Sequence, residues 1–215
     1  MLDSAAQRAQ MVATQLRTND VTDSRLCRAI LDVPREAFVP ERLAGLAYME
    51  NCIPLGWGRA LLDPRAFGKL AQLAAIEEED TLLDVGCATG YSSAVFARMA
   101  ARVVALEENS ELAENAARNL RSVRKVELMK GPLVQGCPAR GPFDVIFLNG
   151  AVERRPDALL DQLADDGRLA CIVRDGAAGH AYLYVKHDGA IGERSTFDAL
   201  VPVLPGFEKI LSFSL

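Results

Sequence analysis

Two spacings of apolar residues divide the chain near residue 76. Up to that point they recur at helical intervals between irregular connections. Met11, Val12, Gln15 and Leu16 share one helical face, and Asn19-Asp20 interrupts it. Thr22 or Asp23 can cap a second helix that carries Leu26 and Ile30. Pro34, Pro40 and Pro54 then punctuate an irregular connection that contains Gly56-Trp57-Gly58. At Asp63-Pro64 an N-cap acid precedes a first-turn proline, which predicts a third helix burying Phe67 and Leu70.

From about residue 80 the pattern alternates. Strands are predicted at 81–85, 102–106, 125–129, 143–148 and 168–173. One helix between them starts at Ser110, with Leu112, Ala116 and Leu120 on one face. Another starts at Pro156, carries Leu159, Leu160 and Leu163, and ends at Gly167. Such alternation implies a mainly parallel sheet covered by helices on both faces. The tail reads differently: 181–187, His187-Asp188-Gly189-Ala190 and then 190–203 suggest an antiparallel hairpin. The expected fold is α/β, a seven-stranded, mostly parallel, doubly wound sheet. Residues 1–76 form a helical N-terminal extension and residues 77–215 one compact core. Glu77-Glu78-Glu79-Asp80 reads as a solvated loop before the first strand.

Composition narrows the classes. The 215 residues are 50% hydrophobic and 25% charged, as in an ordinary globular protein. A net charge of −5 without a basic stripe argues against a nucleic-acid partner. No apolar run approaches the roughly 18 residues of a membrane span, and the opening Met-Leu-Asp-Ser is too polar for a secretory signal. Five scattered cysteines without a C-x-x-C pair disfavour a disulfide framework or a structural metal site, and point to a reducing cytoplasm. His180 and His187 sit in turn-like surroundings, so a Cys–His catalytic pair is disfavoured too.

The first alternating strand ends at Asp84-Val85, and Gly86-Cys87-Ala88-Thr89-Gly90 leads directly into a helix. Ligands in such sheets bind beyond the carboxyl ends of the strands. Glycines there let a backbone approach a ligand, and a helix start offers free N–H groups to an anionic one. The second strand ends at Glu107-Glu108, about 20 residues on, where an acid can accept from ribose hydroxyls. This placement predicts a nucleoside cofactor. Ala88 breaks the G-x-G-x-x-G dinucleotide fingerprint, the P-loop pattern is absent, and no Lys or Arg is expected beside the loop to neutralise phosphates.

Asp84-x-Gly86-x-x-x-Gly90, followed by Glu107, resembles the S-adenosylmethionine loop of class I, Rossmann-like methyltransferases. Asp32-Val-Pro-Arg-Glu-Ala-Phe-Val-Pro-Glu41 and Ala47-Tyr-Met-Glu-Asn-Cys-Ile-Pro-Leu-Gly-Trp-Gly58 are similar to the protein-L-isoaspartate O-methyltransferase family. So are Gly141-Pro-Phe-Asp-Val-Ile-Phe147 and Leu159-Leu-Asp-Gln-Leu-Ala-Asp-Asp-Gly-Arg-Leu169. The resemblance implies S-adenosylmethionine as cofactor and a protein or peptide carboxylate as methyl acceptor, in protein repair. An acceptor with a pKa near 4 is already ionised at neutral pH, so no general base is required. The site's work is to orient two groups away from water.

The resemblance also implies a cofactor site of Asp84, Gly86, Cys87, Ala88, Gly90, Glu107, Glu108, Pro132, Leu133 and Asn149. At several positions this chain departs from the family pattern. Where that pattern reads roughly Gly-Gln-Thr-Ile-Ser-x-Pro, the sequence is Gly58-Arg59-Ala60-Leu61-Leu62-Asp63-Pro64, with Leu62 in place of the substrate-orienting serine. Gly131-Pro132-Leu133 replaces Gly-Asp-Gly, whose acid meets the adenine amine; Leu133 and Phe143 remain as expected apolar walls. Asn149-Gly150-Ala151 replaces Thr-Ala-Ala. Arg59 is open to two readings: a surface arginine paired with Glu50 or Asp63, or a guanidinium gripping the acceptor's or the cofactor's carboxylate. The function is likewise open to alternatives, a non-catalytic scaffold that kept the fold or a methyltransferase for another acceptor.

Overall fold

The computed structural model describes residues 3–209. Met1 and Leu2 of the polar opening segment lie outside them. A helix α1 (Ser4–Met11) runs through a wider turn at Val12–Leu16 and stops at Asp20, whose φ of 64° ends the helical path. α2 (Ser24–Asp32) is capped by Asp23, which accepts from the N–H groups of Arg25 and Leu26. α3 (Pro64–Leu73) starts as the Asp63-Pro64 pair predicts, with Asp63 accepting from Ala66 N–H at 2.8 Å. The connection expected to be irregular contains a hairpin instead. β1 (Ile53–Gly56) pairs antiparallel with β2 (Arg59–Leu61), and Gly56, Trp57 and Gly58 all have positive φ in the turn.

The main sheet has seven strands: β3 (Thr81–Val85), β4 (Arg102–Glu107), β5 (Val126–Lys130), β6 (Phe143–Val152), β7 (Leu163–Asp175), β8 (Ala178–His187) and β9 (Ala190–Asp198). Their order is β5-β4-β3-β6-β7-β8-β9. The first five are parallel neighbours, and β8 and β9 add antiparallel at one edge. The chain direction changes side at β3, so the ends of β3, β4 and β6 meet where ligands bind in such sheets. α4 (Tyr91–Phe96) follows β3, and α5 (Ser110–Leu120) follows β4. α5 buries Leu112, Ala116 and Leu120, as its spacing predicts.

The helix predicted from Pro156 is cut short. α6 (Asp157–Leu160) is a single turn, Leu163 already pairs with Phe143, and Gly167 lies inside β7. Asp166 takes φ 61°, and a Cβ on Gly167 would meet the Ala164 and Phe143 carbonyls at 2.8 and 2.9 Å. Close backbone approach, rather than helix termination, is what requires this glycine. The acidic run at 77–80 is not fully solvated either. Asp80 is buried and accepts from Arg168 at 2.7 Å, while Arg168 also donates to the Ala74 carbonyl.

Two apolar clusters cover the sheet faces. The larger is shared with residues 11–76: Phe67 lies 5.4 Å from Tyr91, 5.8 Å from Phe96 and 5.9 Å from Phe147, ring centre to ring centre. Arg25 adds bonds to the Ile76 and Met99 carbonyls. Arg35 is only 1% exposed; it donates to the carbonyls of Ala47 and Leu62 and lies 5.0 Å above the Tyr91 ring. Burial lowers its pKa. Arg35→Met is expected to lose about 2–3 kcal/mol in urea denaturation, because two buried carbonyls lose a charged donor. An unchanged midpoint would mean that neither bond contributes.

Candidate functional site

β3 ends against β4, and the chain turns through Gly86, Ala88 and Gly90 with φ of 74°, 50° and 94° before α4 begins. This backbone path uses left-handed conformations that glycine adopts at little cost. Four of the five N–H groups of the loop are engaged internally. Those of Gly86 and Cys87 donate to the Leu106 carbonyl, that of Ala88 to Glu107 and that of Gly90 to the Cys87 carbonyl. At these positions the expectation of free donors facing a ligand is corrected. The space beside the glycines is also used by the chain. A Cβ on Gly86 would lie 2.6 Å from Arg59 Nη2 and 3.1 Å from Leu204, and one on Gly90 would strike Leu120 at 2.7 Å. Leu204 also fills the room over Gly150, at 2.8 Å. It is delivered there by residues 202–204, which bond to Ala151 beside β6.

Glu107 is fully buried at the end of β4. Its carboxylate accepts from the N–H groups of Ala88 (2.8 Å), Glu108 (3.1 Å) and Asn109 (3.0 Å). Arg59 Nη1 donates to both of its oxygens, at 3.1 and 2.9 Å, and Arg59 Nη2 donates to the Gly86 carbonyl at 2.5 Å. The Arg59 and Glu107 side chains are 2% and 0% exposed. The reading of Arg59 as a surface arginine is therefore corrected. It pairs with neither Glu50 nor Asp63, and its guanidinium is turned inward onto the acid expected to hold a ribose. A cation does stand beside the loop, contrary to expectation: Arg59 precedes Gly86 by 27 positions and reaches it through the β1–β2 hairpin.

Asp84 is fully buried and accepts from Ser92 Oγ at 2.6 Å, from Ser93 Oγ and from Asn149 Nδ2. Asn149 Nδ2 also lies 3.0 Å from Ser92 Oγ. Burial pushes the Asp84 carboxyl up to about 6, against the pull of these three donors and of Arg59. Ser92 and Ser93 were not singled out from the sequence. Their position in the first turn after Gly90, facing back on the strand end, was the available signal. Burial also raises the Cys87 thiol, and the rings of His180 and His187 pair with Asp198 and Asp166.

On the opposite side of Glu107, Pro132 precedes a short 3₁₀ turn, and Leu133 N–H meets Glu108 Oε2 at 3.3 Å. Leu133 and Phe143 are fully buried in the second apolar cluster and do not wall a cavity, which corrects that expectation. The cavity beside Glu107 is about 240 Å³, lined by Trp57, Arg59, Glu107, Glu108, Asn109 and Pro205. A larger one of about 410 Å³ lies on the other side of Trp57, against Phe38, Arg42, Leu55, Thr89 and Asn115. Leu62 faces neither: its side chain is buried in the larger apolar cluster, and its carbonyl receives Arg35.

The residues present fit a ribose-bearing cofactor only with Arg59 withdrawn from Glu107. A carboxylate offers about four lone-pair sites, and Arg59 with three backbone donors occupies those of Glu107. The 240 Å³ cavity is also below the roughly 300–1,000 Å³ of small-molecule pockets.

Comparison with known proteins adds to this geometry. Residues 6–203 match the family model described as protein-L-isoaspartate(D-aspartate) O-methyltransferase (PCMT). A protein-L-isoaspartate O-methyltransferase of Vibrio cholerae serotype O1 (strain O395) is 33% identical over 205 residues, covering 94% of this chain and 98% of the relative. Another, from Methylorubrum extorquens (strain PA1), is 38% identical over 168 residues, covering 78% and 74%. A solved protein-L-isoaspartate O-methyltransferase superposes with a TM-score of 0.79 at 22% identity, over 93% of this chain and 66% of that one. So does a beta-aspartate methyltransferase (PCMT) from Plasmodium falciparum in complex with S-adenosyl-L-homocysteine, with a TM-score of 0.79 at 18% identity over 95% and 99%. At these identities the two structures speak to the fold.

Proposed function

The chain belongs to the protein-L-isoaspartate(D-aspartate) O-methyltransferase family, and from that premise we propose that it uses S-adenosylmethionine to methylate a carboxylate on a protein or peptide. The observation that carries this reading is the position of Glu107, an acid at the end of β4 beside the Gly86–Gly90 turn. In this reading Asp84, Gly86, Cys87, Ala88, Gly90, Glu107, Glu108 and Asn149 border the cofactor site. Pro132 closes its far side, and Leu133 supports it from within the second apolar cluster. Residues 1–76 act as a cap, contributing the β1–β2 hairpin and Arg59.

An acceptor carboxylate needs no base, so the protein's contribution is to orient and to exclude water. Among the described residues, no helix is long and apolar enough to cross a membrane. With methyl-labelled S-adenosylmethionine and an isoaspartyl peptide, the expected product is a base-labile labelled ester, formed slowly because Leu62 offers no hydroxyl donor. No ester at any enzyme concentration, from a panel of carboxylate peptides, would overturn the reading in favour of a scaffold.

A further inference from the structure

We infer that Arg59 is an internal latch on the cofactor site, and that it sets cofactor affinity by competing with the ribose for Glu107. This inference rests on the reading proposed above. Three observations converge on it. First, the guanidinium saturates the one carboxylate placed to hold a ribose hydroxyl, bonding both of its oxygens. Second, its other amino group occupies the notch that Gly86 leaves open, donating to the Gly86 carbonyl. The room conferred by a missing Cβ is thus taken by the protein itself. Third, Arg59 directly follows the exposed turn of a hairpin that lies outside the main sheet.

β1 and β2 form a separate two-stranded sheet. Their turn has positive φ at Gly56, Trp57 and Gly58, and a Cβ on either glycine would meet nothing within 4 Å. Ile53, Leu55 and Leu61 anchor the two strands in the larger apolar cluster, so the exposed turn is the part that opens at low cost. Trp57, half exposed at the tip, lines both the 240 Å³ and the 410 Å³ cavities. Peeling the turn outward would withdraw Arg59 from Glu107 and remove Trp57 from between the two spaces. Glu107 would keep its three backbone donors, two on Oε1 and one on Oε2, and regain one lone pair on Oε2 for a ribose hydroxyl. A ligand that binds only the open form has its apparent affinity reduced by the fraction of molecules that are open.

The chain has a single tryptophan, so Trp57 fluorescence reports the hairpin directly. S-adenosylhomocysteine is titrated calorimetrically into the wild type and Arg59→Gln, with folding checked by circular dichroism. Arg59→Gln is expected to bind at least about ten-fold more tightly. In stopped-flow, the wild-type fluorescence rate should level off with rising ligand at the opening rate, while that of Arg59→Gln should rise linearly. Equal, finite affinities would overturn the latch and leave the proposed cofactor in place. Binding by neither protein would overturn both. If Arg59→Gln fails to fold, the wild-type kinetics decide alone: a rate linear in ligand concentration overturns the latch.

Discussion

Glu107→Ala is expected to destabilise the protein by about 3–5 kcal/mol, a large part of the 5–15 kcal/mol that holds a typical domain together. The change would leave the Arg59 guanidinium buried without its anion and deprive the N–H groups of Ala88, Glu108 and Asn109 of their acceptor. Breaking one side of a buried ion pair costs more than replacing both sides, because the surviving charge has lost its water and its partner. The double variant Arg59→Met/Glu107→Ala should therefore recover part of the loss. It should not recover all of it, since the three backbone donors remain unpaired. Urea denaturation of wild type, single and double variants separates these contributions. A loss below about 1 kcal/mol for Glu107→Ala would show that the carboxylate does not organise this corner of the sheet.

The elements built on local chemistry were legible in the sequence. Asp63-Pro64 starts α3, Asp23 caps α2, and Leu112, Ala116 and Leu120 face inward on α5. Each depends on residues within a turn of one another. The failures depend on distant partners. Leu163 fits a helical face after Leu159 and Leu160, yet it pairs with Phe143 across the sheet. The β1–β2 hairpin is short and carries Pro54, and its three-residue alternation is too brief to stand out from a loop.

The same division holds at the site. Asp84, Gly86, Gly90 and Glu107 could be placed at strand ends because the βα pattern fixes where such ends lie. What each contacts could not be read, since the partners are remote: Arg59 for Glu107, Asn149 for Asp84 and Leu204 for Gly86. Glycine in such a turn signals that something comes close. Here the neighbours are the chain's own arginine and leucine.

Asp84 provides a prediction whose sign is set by its burial. Its carboxyl has an ordinary value of 3.8 and is raised to about 6 in the folded protein. Between these values the folded state keeps a proton that the unfolded state has released, so stability falls as pH rises. The contribution is complete below about pH 4, lost through about pH 6 and level above it. A shift of about two units corresponds to roughly 3 kcal/mol.

Asp84→Asn does not titrate, and its amide resembles the protonated acid. Wild-type stability relative to Asp84→Asn is thus expected to fall by up to about 3 kcal/mol between pH 4 and 7. Exposed groups such as Asp175 and His187 titrate alike in both proteins and cancel in the difference. A difference that is flat, or that rises with pH, would contradict the burial argument. Arg59 favours the ionised form of Asp84. Repeating the measurement in an Arg59→Gln background should therefore move the step to higher pH. A step left in place would mean that the latch cation and the Asp84 carboxyl do not interact across the glycine turn.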